Sequence, residues 1–306
     1  MALKTDQTLH AQGQVLSSAP DMLGELRTSN DIVDDGAALR SRMADDGYIF
    51  LRSYLDRDEV LDARREMLER VAAEGGLDPT ADLMDGVLAT TGSVHFDPSR
   101  TRGAASLQKL LFDGPMIAFF ERFLEGAVRG FDFIWLRSVG PGFGTAPHGD
   151  SVFMNRGTKQ LYTAWTPLGE VDRILGGLIV LENSHKLEHI KNTYGNKDVD
   201  TWCENDPDLT VYDLGNGKPW GGQISHDPVA LREQLGGRWL TADYHPGDLL
   251  VFSMSTLHAS LDNRSPNLLR LSTDTRYQLA SEPVDERWVG DDPIAHGPDA
   301  KRGIIC

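Results

Sequence analysis

Leu269-Arg270-Leu271-Ser272-Thr273-Asp274-Thr275-Arg276-Tyr277 alternates in character from one residue to the next. A β-strand points successive side chains to opposite faces, so Arg270, Ser272, Asp274 and Arg276 share one face. Leu271, Thr273 and Thr275 share the other. Shorter β-type runs precede it at Phe133–Leu136, Gln160–Trp165, Gly177–Leu181 and Leu249–Phe252, separated by Gly, Pro and Asn. Many short strands with turns between them imply a sandwich or barrel whose mouth can hold a ligand. Inside such a barrel an arginine needs a charge partner, because an unpaired buried guanidinium is very costly. A carboxylate ligand would give Arg270 two parallel hydrogen bonds, with the Ser272 hydroxyl adding a third. Asp274 and Asp262 are the alternatives within the chain.

Upstream, the texture is helical. A helix is expected over Asp35–Asp46, followed by a buried strand at Gly47-Tyr48-Ile49-Phe50-Leu51. Asp56-Arg57-Asp58-Glu59 reads as a capping box in which Asp56 accepts from first-turn amides and Glu59 reaches back. Val60, Ala63, Met67 and Val71 follow at helical spacing until Gly75-Gly76. A further helix begins at Pro115 and buries Met116, Phe119, Phe120 and Phe123. The fold class is therefore mainly β with flanking α, the N-terminal helices packing on one outer face. No linker separates the parts, so residues 1–306 are expected to form one domain. Residues 1–30 read as a loosely ordered arm with at most a short helix. The polar insert over 186–238, with Trp202, Tyr212 and Trp220, reads as a lid.

With 40% hydrophobic residues the chain can bury a sizeable core, and it has no apolar run long enough to span a bilayer. Its start lacks the apolar core of a signal peptide, which suggests a cytoplasmic protein. The two cysteines, Cys203 and Cys306, form no framework and have no metal-ligand spacing. A net charge of −16 argues against nucleic acid as a partner. An anionic cosubstrate would need a local arginine. Nothing in the sequence assigns an oligomeric state.

Pro147-His148-Gly149-Asp150 carries the second motif. In extended chain, residues 148 and 150 put an imidazole and a carboxylate on one face, where both can grip a metal ion. His258, in Ser255-Thr256-Leu257-His258-Ala259-Ser260, would complete the set from a second strand. Two histidines and one carboxylate occupy one triangular face of an octahedron and leave three positions open, as in non-haem Fe(II) oxygenases. The remaining histidines read as surface or hydrogen-bonded groups, with His185 structural in a Ser-His-Lys turn.

These motifs, taken in order, resemble the Fe(II)/2-oxoglutarate oxygenases and, more narrowly, the phytanoyl-CoA dioxygenase family. The resemblance runs from about Asp46 to Gln278. It covers Gly47–Leu51, Pro141-Gly142 leading into His148-Gly149-Asp150, Ala164-Trp165-Thr166-Pro167-Leu168, Gly176–Lys186 and Pro246–Phe252 leading into His258. It implies a double-stranded β-helix (a jelly-roll, cupin-like core) with His148, Asp150 and His258 on Fe(II). It also implies Arg270 and Ser272 on the distal carboxylate of 2-oxoglutarate, with Ser260 and Trp165 as further cosubstrate contacts. Arg270 stands twelve residues after His258 where eleven is common, so Arg264 and Arg276 remain alternatives.

The resemblance implies O2-dependent oxidation of an unactivated C–H bond, with 2-oxoglutarate released as succinate and CO2. Halogenating relatives have a small residue where this chain has Asp150, so oxygenation is expected. Hydroxylation, desaturation, epoxidation and ring formation all lie within this chemistry. The substrate is expected to be a small organic metabolite met by Arg137, Tyr212 and Trp220. A chain this acidic gives no support for holding coenzyme A phosphates. A second reading keeps the barrel as a non-catalytic metal- or ligand-binding protein, and a third makes it a zinc hydrolase.

Overall fold

The computed structural model describes residues 8–89, 97–200, 221–296 and 298–300. Tyr212, Trp220, Trp202, His95 and both cysteines lie outside them.

Two antiparallel-rich sheets face each other. The larger is built from β4 (Tyr48–Leu51), β5 (Val128–Gly130), β6 (Trp135–Val139), β7 (Tyr162–Pro167), β10 (Leu249–Ser253) and β12 (Arg270–Leu279), in the order β4-β10-β7-β12-β5 with β6 also on β12. The smaller has the order β11-β8-β9-β3, from β3 (Leu23–Glu25), β8 (Leu178–Leu181), β9 (Trp239–Thr241) and β11 (His258–Ser260). Cross-strand partners share a face, so the register defines the interior. Trp165 stands opposite Leu250 and Asp274, Thr163 opposite Phe252 and Arg276, and Ser272 opposite Arg137 and Pro167. Tyr48, Phe50, Leu250, Phe252 and Trp165 pack inward against Leu178, Val180 and Leu240 of the smaller sheet and against Tyr244, which follows it. This is the double-stranded β-helix that the resemblance implies.

The other face of the large sheet is covered by helices. Ile49, Leu51, Ala164, Leu249, Val251, Leu271 and Tyr277 pack against Leu39, Met67, Leu111, Phe119, Phe120 and Phe123. Those side chains come from α1 (Gly36–Asp46), α2 (Arg57–Ala73), α3 (Ala105–Phe112) and α4 (Gly114–Leu124). The charged face of β12 thus looks into the barrel, and its apolar face holds the helices. Burial of the α4 stripe, with each of Met116, Phe119, Phe120 and Phe123 at most 1% exposed, contributes roughly 1.5–3 kcal/mol per side chain.

Several local expectations change. Asp56 caps α2 through the Asp58 and Glu59 amides at 2.9 and 3.0 Å, but Glu59 turns away to Lys109 at 2.6 Å, so the box is half made. The helix α3 escapes sequence reading because it is only eight residues long and carries no side-chain cap. The N-terminal arm is more ordered than its polarity suggests. β1 (Leu9–Ala11) pairs with β2 (Gln14–Leu16), and β3 joins the smaller sheet parallel to β9. Leu9, Leu16 and Leu23 supply the apolar contacts that hold it, a spacing too irregular to show as a period. Of the insert, the described parts include α5 (Glu188–Asn192) and α6 (Pro228–Leu235). No helix among the described residues is long and apolar enough to cross a membrane.

Candidate metal centre

His148 and His258 lie 110 positions apart in the chain and directly opposite each other in space. Their backbones exchange both hydrogen bonds at 2.9 Å as an isolated antiparallel bridge, and their rings stand 4.2 Å apart between centroids. Gly149 is extended, and Asp150 then opens a 3-10 turn, so the carboxylate falls on the histidine side as the spacing of two predicts.

Each imidazole is oriented by its backbone. His148 Nδ1 lies 2.8 Å from the Ala146 carbonyl and His258 Nδ1 lies 3.0 Å from that of Thr256. A carbonyl can only accept, so Nδ1 carries the proton and Nε2 presents its lone pair. Both Nε2 atoms stand 3.9 Å from Asp150 Oδ1, and the three ligand atoms lie within 4.8 Å of one another. One ion fits between them.

Electrostatics favours the ligating protonation states. Burial pushes the His148 pKa down to about 3, helped by His258, and burial likewise lowers His258. Burial alone would raise the Asp150 carboxyl, but the Arg276 guanidinium and both histidines outweigh it and hold it below the usual range. Arg276 Nη2 lies 3.1 Å from each Asp150 oxygen, and the Thr163 hydroxyl donates to Oδ2. Oδ2 thus accepts from both Thr163 and Arg276, while Oδ1 accepts from Arg276 alone and faces the histidines. Arg276 in turn lies flat on Trp135, its Cζ 3.9 Å from the ring centroid.

Arg270 is buried at the start of β12 and forms no ion pair with either aspartate weighed as its partner. Asp274 pairs instead with Arg137 at 2.7 Å, and Asp262 accepts the Gln12 and Gly13 amides at 2.9 and 2.8 Å. Arg270 Nη1 donates to the Gly176 carbonyl, while its Nε and the Ser272 Oγ have no partner among the described residues. Burial lowers the Arg270 pKa to about 10, which still leaves a cation at neutral pH. A buried cation with an open donor and a neighbouring open hydroxyl suits a carboxylate ligand. Arg264 is exposed in its turn.

Ser260 shares the inward face with His258, and its Oγ accepts the Thr145 amide at 2.8 Å. Its own proton remains available. Trp165 is buried edge-on to Tyr244, with centroids 4.7 Å apart, as part of the barrel wall. Arg137 lines a cavity of about 250 Å³ in front of the triad, with Trp135, Phe153, Met154 and Trp288.

Sequence reading missed three supports. Arg276 shares the Arg270 face, but strand alternation alone cannot say which ligand it meets. Thr163 has no motif. Tyr194, from the insert, is buried beneath the metal loop. Its hydroxyl accepts the Gly149 amide at 2.9 Å and donates to the Gly222 carbonyl at 2.6 Å, and nearby Ile224 N bonds Pro147 O at 2.9 Å. Gly222 has φ +87°, and a Cβ there would stand 2.1 Å from the Phe153 ring, so only glycine fits. His185 is structural as expected: its Nε2 faces the Ala44 carbonyl at 3.0 Å, and Gly47 (φ +78°) leaves room for its ring.

Comparisons with known proteins agree with this geometry. The chain is 28% identical over 273 residues to the 1-deoxypentalenic acid 11-beta-hydroxylase of Streptomyces exfoliatus, covering 85% of this chain and 87% of the relative. Its fold is that of the epimerase SnoN in complex with Fe3+, alpha ketoglutarate and nogalamycin RO (TM-score 0.55, 22% identity, 86% of this chain and 95% of that one). EctD from S. alaskensis with 2-oxoglutarate and 5-hydroxyectoine shares it too (TM-score 0.55, 16% identity, 96% and 91%). Residues 43–271 match the family model described as phytanoyl-CoA dioxygenase (PhyH). With that match across most of its length and a His-Asp-His triad in place, the chain belongs to the phytanoyl-CoA dioxygenase family and is an iron- and 2-oxoglutarate-dependent oxygenase.

Proposed function

We propose that the protein hydroxylates an unactivated C–H bond of a small organic metabolite of a biosynthetic pathway, in the cavity before the triad. The observation that carries this reading is the buried cluster of His148, Asp150 and His258, the first two of which line that cavity. His148, Asp150 and His258 would hold Fe(II), and Arg270 with Ser272 would hold the distal carboxylate of 2-oxoglutarate. When bound, the pair supplies O2 activation coupled to decarboxylation of 2-oxoglutarate to succinate and CO2.

The chain's own part is positional. Thr163 and Arg276 fix the Asp150 carboxylate, the Ala146 and Thr256 carbonyls fix the imidazoles, and Tyr194 secures the loop between the first two ligands. Trp135, Phe153, Met154 and Trp288 line the cavity and offer apolar surface to a carbon skeleton. Asp150 occupies the position that halogenation requires to be open, which supports oxygenation. The hydroxylase from Streptomyces exfoliatus, which acts on 1-deoxypentalenic acid, supports hydroxylation as the outcome.

The test is aerobic turnover with Fe(II) and 2-oxoglutarate across a panel of terpenoid and other alicyclic metabolites. Succinate is read out, and products are examined for a gain of one oxygen atom. A metabolite that raises succinate formation and gains that oxygen supports the reading. Zinc-supported, oxygen-independent hydrolysis would overturn it.

A further inference from the structure

The cavity before the triad holds one charged group whose chemistry remains open. Arg137, on β6, spends its Nε on Asp274 Oδ2 at 2.7 Å. Its two terminal nitrogens have no partner among the described residues, its side chain is 27% exposed, and it lines the cavity. Around it Trp135, Phe153, Met154 and Trp288 form the apolar part of the lining, beside the polar Thr145, Gln223 and His296. An open guanidinium edge in such a setting presents two parallel N–H donors, the pattern that a planar carboxylate accepts.

The balance of charge points the same way. Around the metal loop Arg276 meets Asp150 and Arg137 meets Asp274, while Arg270 has no ion-pair partner among the described residues. One positive charge is in excess. Fe(II) and doubly charged 2-oxoglutarate cancel each other, so loading the centre leaves that excess in place.

Apart from Asp150, no acid among the described residues lines the cavity. Asp262 is engaged by the Gln12 and Gly13 amides. Asp198, Asp200 and Asp285 are ion-paired with Arg156 and Arg287 and do not line the cavity. An uncompensated charge next to apolar walls is costly, and a bound monoanion relieves that cost.

We infer that the primary substrate is a compact apolar monocarboxylate, its carboxylate held by Arg137 and its carbon body laid against the Trp135–Trp288 wall. This rests on the oxygenase reading above. Neutral and cationic isosteres would leave the excess charge uncompensated or increase it. A dianion would exceed it. Arg137 is thus a specificity-determining residue, distinct in role from Arg270.

The test uses the anaerobic enzyme loaded with Fe(II) and 2-oxoglutarate. Three cage-shaped probes of one size are titrated: adamantane-1-carboxylate, adamantane-1-carboxamide and adamantan-1-amine. Binding is read from perturbation of the visible metal-to-cosubstrate band and, independently, by calorimetry. The carboxylate should bind at least tenfold more tightly than the carboxamide, and the amine should not bind. Arg137→Gln should abolish the preference while changing the 2-oxoglutarate dissociation constant less than twofold. Arg137→Lys, which keeps the charge beside Asp274, should retain the order at weaker affinity.

Equal binding of carboxamide and carboxylate, binding of the amine, or no binding of any probe overturns the inference. So does an Arg137→Gln variant that loses 2-oxoglutarate, which would give the guanidinium to the cosubstrate. Absence of the band before any probe is added counts against the oxygenase reading instead, and calorimetry on the same protein still ranks the three probes.

Discussion

Arg276 places a single nitrogen, Nη2, 3.1 Å from both carboxylate oxygens of Asp150. Both side chains are buried, so the pair is an ionic contact with almost no solvent screening. Replacing Arg276 by Met leaves Asp150 charged and unpaired in the metal-free protein. Stability of that form should fall by about 3 kcal/mol. Because a divalent cation at the triad supplies a replacement charge, the loss should be smaller with metal bound. Denaturant melts with and without Mn(II) as a redox-inert stand-in measure this. An equal loss in both states would show that Arg276 does not serve the carboxylate.

Arg270 and Ser272 should decide cosubstrate affinity without deciding metal affinity. Arg270→Ala should weaken 2-oxoglutarate at least 100-fold while Mn(II) binding stays within threefold, an effect on the order of 3 kcal/mol as suits a lost charge-assisted pair. Calorimetric titration of each ligand separates the two. A variant that keeps 2-oxoglutarate would return Arg276 to consideration as the cosubstrate arginine.

Tyr194→Phe removes one hydroxyl that serves both Gly149 and Gly222, leaving a buried amide without its partner. A cost of about 1–3 kcal/mol is expected. It should appear as weaker metal binding as well as a lower melting temperature, because the amide belongs to the residue between two ligands. A lower melting temperature with unchanged metal affinity would reduce Tyr194 to general packing.

The buried histidines also set a pH dependence. Their pKa values are lowered on folding, to about 3 for His148, so the unfolded chain takes up protons first. Stability from this source is fully present above the unfolded value, near 6.5, and is lost as pH falls from there toward the folded value. For each histidine the slope is at most about 1.4 kcal/mol per pH unit. The metal-free protein should therefore melt at a clearly lower temperature at pH 5 than at pH 7, and His148→Asn should flatten the trend. Equal melting temperatures at both values would contradict burial of neutral imidazoles.

The long strand and the metal loop were legible in the sequence because each rests on a short period. Alternation over Leu269–Tyr277 sets the inward face, and the spacing of two sets His148 and Asp150 side by side. The partner His258 required a resemblance to known motifs, since nothing local encodes a contact across 110 positions. What lay beyond reach depends on tertiary pairing. Asp274 and Asp262 were both available to Arg270 on paper. Only the register of β6 on β12 gives Asp274 to Arg137, and only the N-terminal hairpin takes Asp262. Thr163, Tyr194 and the strands before residue 26 carry no motif because their roles are set by what folds against them.

The central claim is that one iron ion and one 2-oxoglutarate share the centre built by His148, Asp150, His258 and Arg270. Anaerobic titration of the purified protein with Fe(II) and 2-oxoglutarate tests it most directly. A weak visible charge-transfer band should appear only when both are present, saturate at one of each per chain, and vanish in Asp150→Ala and His258→Ala. No band in the wild-type protein, or an undiminished band in those variants, would contradict the account.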